Sequence, residues 1–114
     1  MSIRVVIAED EAIIRLDLKE TLEEEGYEVV GETGRGDKAV ELVREHRPDL
    51  AILDIKMPGL DGLSAARQIA SDRLAAVLIL TAFSQRELVE QAREAGAIGY
   101  LVKPFQKKIG RAHV

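Results

Sequence analysis

Residues 50–54 read Leu-Ala-Ile-Leu-Asp, an apolar run that ends in an acid. A fully apolar run of this length is typical of a strand at the centre of a parallel sheet, because such a strand is buried on both faces. Three other stretches repeat the pattern of a largely apolar run followed by polar residues. They are Ile3–Ala8 before Glu9 and Asp10, Val77–Leu80 before Thr81, and Ile98–Val102 before Lys103. The repeated pattern predicts strands of one sheet.

Amphipathic segments between these runs predict helices. After the first run, Ile14, Leu18 and Leu22 recur at helical spacing with charged residues opposite them. We predict that Asp10 caps this helix and that Gly26 ends it. The alternation of strands and helices predicts an α/β fold with a doubly wound, five-stranded parallel sheet. A chain of 114 residues is long enough for one such domain.

The composition excludes several classes of protein. Hydrophobic residues make up 46% of the chain and charged residues 32%, which is ordinary for a globular protein and too apolar for disorder. The chain has no cysteine, so disulfides and thiolate metal sites are excluded, and a cytoplasmic location is expected. The net charge of -4 argues against a nucleic-acid surface, and the longest apolar run is too short to cross a membrane.

The polar residues that follow the strands are the candidate site. The carboxyl ends of parallel strands share one edge of a sheet, where ligands bind, so we expect these residues to meet there. They are Glu9, Asp10, Asp54, Thr81 and Lys103. Taken singly, each has an ordinary role as a helix cap, a turn residue or a solvated charge. Taken together, they indicate the binding of phosphate and a divalent cation.

The three acids set the chemistry of this site. Two carboxylates about 4 Å apart repel by roughly 4 kcal/mol at an effective dielectric constant near 20, so three need protons or a cation. Carboxylate and phosphate oxygens suit Mg²⁺. A bound Mg²⁺ would neutralise a phosphoryl group, and one carboxylate could then accept that group as an aspartyl phosphate. Asp54 is the best candidate because it follows the central strand.

Five motifs resemble the receiver domain of bacterial two-component response regulators, in that family's order and spacing. They are Glu9-Asp10, Asp54, residues 57–62 (Met-Pro-Gly-Leu-Asp-Gly), Thr81-Ala82 and Lys103-Pro104-Phe105. The resemblance implies a receiver domain over residues 1–105 with the flavodoxin-like strand order 2-1-3-4-5. Residues 13–18 and 80–86 further resemble the subfamily whose output domain is an RNA-binding antiterminator of the ANTAR type.

The resemblance implies a signalling switch and not a turnover enzyme, with at most slow self-phosphorylation from small donors and slow self-dephosphorylation. Asp54 would accept a phosphoryl group from a histidine kinase. Asp10, Asp54 and the backbone carbonyl of Lys56 would bind Mg²⁺, and Glu9 would act largely through water. Lys103 would pair with the phosphoryl group.

The resemblance also implies a conformational switch. Thr81 would move toward the phosphoryl oxygen while Tyr100 turns inward to fill the vacated space. Lys56 and Phe83 would flank the site and tune hydrolysis of the phosphoryl group. The Lys103-Pro104 peptide bond would be cis.

Residues 106–114 depart from the family pattern. A fifth helix should follow Phe105, but Gly110 costs about 1 kcal/mol in a helix interior and only three of the nine residues are apolar. We expect a truncated or altered tail, with the fifth helix shortened or absent. We further expect the sheet surface exposed in this way to be buried by a second copy of the chain, as a homodimer.

Two other functions stay open on the sequence. A small Mg²⁺-dependent phosphatase or phosphotransferase also forms an aspartyl phosphate, but it usually places its nucleophile on the first strand with a second acid two residues later, where this chain has Glu11-Ala12. A receiver domain that works without phosphorylation would lack one of the key residues. Asp10, Asp54, Thr81 and Lys103 are all present.

Overall fold

The computed structural model describes residues 2–82 and 86–103. Strands and helices alternate along the chain in the order β1 (Arg4–Ala8), α1 (Ala12–Glu24), β2 (Glu28–Thr33), α2 (Gly36–His46), β3 (Leu50–Asp54), α3 (Gly62–Ser71), β4 (Ala76–Thr81), α4 (Arg86–Glu94) and β5 (Gly99–Val102). Three expectations lie outside the described residues: the role of Phe83, the cis bond before Pro104 and the fate of the fifth helix in residues 106–114.

The five strands form one parallel sheet in the order β2-β1-β3-β4-β5, which confirms the predicted topology. Its register aligns the carboxyl ends of the central strands. Ala8 of β1 is paired with Leu53 of β3, and Asp54 is paired with Leu80 of β4. Thr81 is paired with Val102 of β5, immediately before Lys103. The polar residues of four strands are therefore brought to the same edge.

Helices cover both faces of the sheet. Alternate residues of a strand point to opposite faces, so Leu53 packs with α2 and α3 while its neighbour Ile52 packs with α1. On the first face, Val43 and Ile69 are fully buried against the sheet. On the second face, Leu18 of α1 is buried against β1, β3 and β4. Within residues 2–82 and 86–103, no helix is both long enough and apolar enough to span a bilayer.

The predicted helix cap at Asp10 is wrong. The N-cap of α1 is Glu11, and its side chain makes no capping hydrogen bond. The backbone N–H of Glu11 instead donates to Oε2 of Glu9 at 2.9 Å. Glu9, and not Asp10, therefore accepts from a backbone N–H at the start of the helix, where such groups lack a partner within the helix. The predicted end of the helix is confirmed, since Gly26 follows α1 with a φ of +97°.

Two strand ends also lie further along than the apolar pattern alone indicated. Asp54 and Thr81 are the last residues of β3 and β4, whereas the sequence placed them just beyond the strands. Both side chains are therefore held by the sheet itself and not by a following loop. This placement fixes them relative to each other more firmly than a loop would.

Candidate functional site

A cavity of about 450 Å³ opens at the carboxyl edge of the sheet. The central strands end in its floor, and the first residues of the following loops form its walls. Its lining residues are Asp10, Glu11, Asp54, Ile55, Lys56, Thr81, Ala82, Leu88 and Lys103. Glu9 lies beneath this surface and is fully buried. The structure thus brings together the five residues that were predicted to meet because they follow the strands: Glu9, Asp10, Asp54, Thr81 and Lys103.

The three predicted acids form one cluster. Carboxylate oxygens of Glu9, Asp10 and Asp54 lie within 4.8 Å of one another. Oxygen ligands of a single octahedral Mg²⁺ are about 2.0–2.1 Å from the ion, so neighbouring and opposite ligands are separated by roughly 3–4 Å. The oxygen donors therefore suit Mg²⁺, and their separations of up to 4.8 Å are close to those that a single ion requires, with Asp10 exposed at the mouth and the other two acids buried.

Among the described residues, the Lys103 ammonium partly offsets the negative charge of this cluster. Its Nζ lies 2.8 Å from Oε1 of Glu9 and 3.2 Å from Oδ1 of Asp54. The backbone N–H of Lys103 donates to the carbonyl of Thr81 at 2.8 Å, which holds Lys103 next to the end of β4. The Lys103 side chain is only 11% exposed, so solvent screens its attraction to the buried carboxylates only weakly.

Burial dominates the electrostatics of the two inner acids. Loss of solvent raises the pKa of Asp54, and Asp10 adds to the rise, while Lys103 opposes it. Loss of solvent also raises the pKa of Glu9 against the opposing hydrogen bond from Lys103. Burial alone would lower the pKa of Lys103, but its contacts with Glu9 and Asp54 outweigh this effect and raise it. The site therefore favours an added positive charge.

Comparison with known proteins identifies the family. A family model described as "Response regulator receiver domain" matches residues 5–114. The chain belongs to the response regulator receiver domains. Receiver domains are signalling switches that bind Mg²⁺ at an acidic pocket, and this chain has an acidic cluster at Glu9, Asp10 and Asp54.

Three relatives illustrate the similarity. The transcriptional regulatory protein PdtaR of Mycobacterium tuberculosis is 66% identical over 102 residues, which are 90% of this chain and 50% of that protein. The receiver domain thus spans about half the length of that relative. The chemotaxis protein CheY of Bacillus subtilis is 41% identical over 107 residues, 93% of this chain and 89% of that protein. A solved CheX-CheY-BeF3-Mg²⁺ complex of Borrelia burgdorferi has a TM-score of 0.85 at 26% identity, covering 96% of this chain and 84% of that one.

The two expected switch residues occupy different surroundings in this receiver domain. Thr81 is 5% exposed and lines the cavity beside Asp54. Tyr100 is 38% exposed and lines a smaller cavity of about 180 Å³ between α4 and β5. The pairing of Tyr100 with Ile79 places it two residues before Thr81 in the register of β4. The two side chains thus belong to adjacent strands but not to the same cavity.

Three cavity residues of the receiver domain, Glu11, Ile55 and Leu88, were not singled out from the sequence as site residues. Oε1 of Glu11 lies 3.7 Å from Nζ of Lys103, which adds a fourth acid at the mouth. Leu88 of α4 contributes an apolar wall. The position of Glu11, directly after Glu9 and Asp10, was a usable signal. For Leu88 the helical spacing indicated only a buried face, and nothing local shows that this face borders the cavity.

The loop after Asp54 is held by close backbone contacts. The N–H of Gly62 donates to the carbonyl of Ile55 at 2.7 Å, and a Cβ on Gly62 would overlap the carbonyl oxygen of Asp54. At the start of α3, Asp61 accepts a hydrogen bond from the N–H of Ser64 at 2.9 Å. This loop therefore closes tightly on the end of β3 and holds Lys56 at the cavity wall.

Proposed function

We propose that this receiver domain accepts a phosphoryl group on Asp54 and acts as a phosphorylation-dependent switch. The observation that carries the proposal is the position of Lys103 Nζ, 3.2 Å from Oδ1 of Asp54 beside the three-acid cluster. Nucleophile, counter-charge and metal ligands thus share one cavity. This combination is what transfer of a phosphoryl group to a carboxylate requires.

The proposed step is a displacement at phosphorus. An Oδ oxygen of Asp54 forms a bond to the phosphorus atom, and the bond from phosphorus to the donor's histidine nitrogen breaks. The leaving imidazole keeps the electron pair and takes up a proton. Lys103 is already beside the carboxylate and pairs with the incoming phosphoryl oxygens, while the Thr81 hydroxyl donates to them.

We assign the metal site of this chain to Asp10, Asp54 and the backbone carbonyl of Lys56, with Glu9 acting through water. The converging carboxylate oxygens and the place of Lys56 in the cavity wall support the assignment. Mg²⁺, when bound, supplies positive charge that offsets the repulsion between carboxylate and phosphate. Glu9 also holds Lys103 through its 2.8 Å contact, which keeps the ammonium directed at the cavity.

The donor that we propose is a histidine kinase. Membership of the receiver family supports this partner, and we expect the exchange to take place in the cytoplasm. The 66% identity to a transcriptional regulatory protein supports a role in gene regulation, and with it the antiterminator subfamily expected from the sequence. We expect binding of nucleic acid to lie outside this receiver domain, because the chain carries a net charge of -4.

We propose that the switch passes from Thr81 to Tyr100. Movement of Thr81 toward a phosphoryl oxygen would vacate space next to β5, and Tyr100 would turn inward from its exposed position to fill it. The pairing of β4 with β5 supports this coupling, since the two residues lie on neighbouring strands. Tyrosine fluorescence that differs between the phosphorylated and unphosphorylated chain, and is unchanged in Tyr100→Phe, would support it.

We also propose a homodimer through the side of the sheet where a fifth helix is expected. Apolar side chains on the α1 face of the sheet support it, since Leu78 and Leu101 pack beside the core that contains Leu18 and are only partly buried. Among the described strands β5 is also an edge strand, which is open to pairing. Sedimentation equilibrium is expected to give a dimer mass. A monomer mass at high concentration would contradict the proposal.

Incubation with acetyl phosphate and Mg²⁺, followed by intact mass spectrometry, tests the phosphoacceptor. We expect one phosphoryl adduct that is stable in acid and labile in base, absent with EDTA and absent in Asp54→Asn. Arg67→Gln is a matched control, because Arg67 is exposed on α3, and it should be modified like the wild type. An adduct that persists in Asp54→Asn would contradict the proposal. Rapid, repeated hydrolysis of phosphate esters would instead favour an enzyme.

A further inference from the structure

The turn that carries Glu9 and Asp10 is held from outside the sheet by a side chain of α1. The N–H of Glu9 donates to the carbonyl of Thr33 at 2.9 Å, which continues the pattern of bonding between β1 and β2. The carbonyl of Glu9 accepts a hydrogen bond from Nη1 of Arg15 at 2.6 Å. The guanidinium thus provides the donor that a neighbouring strand would otherwise supply.

Arg15 is itself held in place. Its Nε lies 3.2 Å from Oε1 of Glu32, and Nζ of Lys19 lies 3.1 Å from the other oxygen of that carboxylate. The Arg15 side chain is only 23% exposed. Gly34 lies beside it, and a Cβ at that position would be 3.1 Å from Nη1 of Arg15 and 3.2 Å from Cα of Asp10. The guanidinium is therefore packed between β2 and the turn.

The ion pair with Glu32 does not explain this arrangement by itself. Ion pairs between partly exposed side chains contribute little to stability. A hydrogen bond from a charged donor to a carbonyl is shorter and stronger than one between neutral groups, and the 2.6 Å contact is of that kind. The structural effect of Arg15 is therefore concentrated on the peptide unit that joins Glu9 to Asp10.

We propose that Arg15 is a positioning residue of the receiver site, which fixes the turn so that the Glu9 and Asp10 carboxylates converge on a divalent cation. The inference rests on the proposed function, because it assumes that this cluster binds Mg²⁺. Arg15 acts through the backbone and touches neither the ion nor the phosphoryl group. Groups of this kind around metal ligands typically change metal affinity by about 10–100-fold when they are removed.

An electrostatic role and a positioning role of Arg15 predict opposite changes in Mg²⁺ affinity when the side chain is removed. If only its positive charge mattered, its removal would strengthen Mg²⁺ binding, because a nearby cation repels the ion. If it positions the turn, its removal weakens binding. Arg15→Met removes the charge and the hydrogen bond while keeping much of the apolar stem. Arg15→Lys keeps the positive charge on a single donor nitrogen. It lacks the planar guanidinium, whose separate nitrogens contact the Glu9 carbonyl and the Glu32 carboxylate at the same time.

Isothermal titration of the full chain with MgCl₂ measures the effect without any phosphorylation. We expect Arg15→Met to weaken Mg²⁺ binding about 10–100-fold, and Arg15→Lys to recover part of that loss. Two variants serve as controls because both leave the bond from Arg15 to Glu9. Glu32→Gln removes the carboxylate that pairs with Arg15 and Lys19, and Lys19→Met removes a neighbouring positive charge. Both controls should bind Mg²⁺ like the wild type.

Mg²⁺ binding by Arg15→Met that equals or exceeds that of the wild type would overturn the inference. If Arg15→Met does not fold, as judged by circular dichroism in EDTA, Arg15→Lys is decisive. Its Mg²⁺ binding is compared with that of Lys19→Arg, a conservative exchange that leaves the bond from Arg15 to Glu9. Weaker binding by Arg15→Lys than by Lys19→Arg supports positioning, and equal binding overturns it. Failure of the wild-type chain to bind Mg²⁺ would instead overturn the proposed function itself, so the two failures are distinguishable.

Discussion

At the scale of single residues, Asp54 meets two opposing demands. The proposed attack on phosphorus requires an ionised carboxylate, yet Asp54 is only 5% exposed, and burial raises its pKa. The ammonium of Lys103, 3.2 Å away, opposes that rise and keeps the charged form accessible. The same lysine is 2.8 Å from Glu9, so one cation serves two buried acids. Binding of a metal would relieve the remaining repulsion.

This balance predicts how stability changes with pH. Folding raises the pKa of Asp54. Below the ordinary aspartate pKa of about 3.9, this carboxyl therefore does not destabilise the folded state. As the pH rises from that value through the folded pKa, the carboxyl ionises in its buried position and destabilises the folded state increasingly. We therefore expect Asp54→Asn to be more stable than the wild type at pH 7 in EDTA. The difference should vanish as the pH falls below about 3.9. Urea unfolding across this pH range measures it.

Asp37→Asn is a control that should change stability at pH 7 in the opposite direction. Arg35 holds the pKa of the Asp37 carboxyl below its ordinary value, so its contribution to stability is present above the unfolded pKa and is lost as the pH falls. That variant should be slightly less stable than the wild type at pH 7. If Asp54→Asn were also less stable at pH 7, burial would not be the dominant influence on Asp54.

At the scale of elements, the site depends on how α3 closes against β3. Gly62, the first residue of α3, is buried, and its N–H is bonded to the carbonyl of Ile55. Any side chain there would meet the backbone at Asp54. Asp54, the proposed phosphoacceptor, is therefore positioned by a contact between backbone atoms that only glycine permits.

Gly62→Ala should consequently move the end of β3. We expect a loss of about 1–3 kcal/mol in the free energy of unfolding, as is typical of overpacking, together with slower phosphorylation by acetyl phosphate. Gly31→Ala is the matched control, because the nearest side-chain atom to its new Cβ, Leu42 Cδ1, would be 3.5 Å away. It should change stability by no more than about 0.5 kcal/mol. Equal stability of the two variants would contradict this role of Gly62.

The sequence predicted what depends on local pattern. The strands follow from the apolar runs, and the meeting of Glu9, Asp10, Asp54, Thr81 and Lys103 follows from their positions at the ends of those strands. The strand order, in contrast, came from the resemblance to receiver domains. The cap at Asp10 was wrong because the choice between successive acids depends on where α1 begins. The bond from Arg15 to Glu9 depends on the rotation of α1 about its axis and on β2. Such contacts between elements leave no local trace in the sequence.

At the scale of the whole molecule, the sheet order brings distant parts of the chain to one edge. Lys103 and Glu9 are 94 residues apart, and their ion pair links β5 to β1 across the two strands that carry Thr81 and Asp54. Asp54 is thus connected, through Lys103 and Glu9, to groups at the ends of β1 and β5. This arrangement is suited to a switch, because a small local event biases the packing of the whole carboxyl edge.

A crystal structure of the chain grown with Mg²⁺ and beryllofluoride, which imitates a phosphoryl group, tests this convergence most directly. We expect beryllium on an Oδ oxygen of Asp54, fluorine atoms within hydrogen-bonding distance of Lys103 and Thr81, and Mg²⁺ bound by Asp10 and Asp54. Beryllofluoride on another carboxylate, or Mg²⁺ bound away from the Glu9, Asp10 and Asp54 cluster, would contradict a phosphoacceptor site at this edge of the sheet.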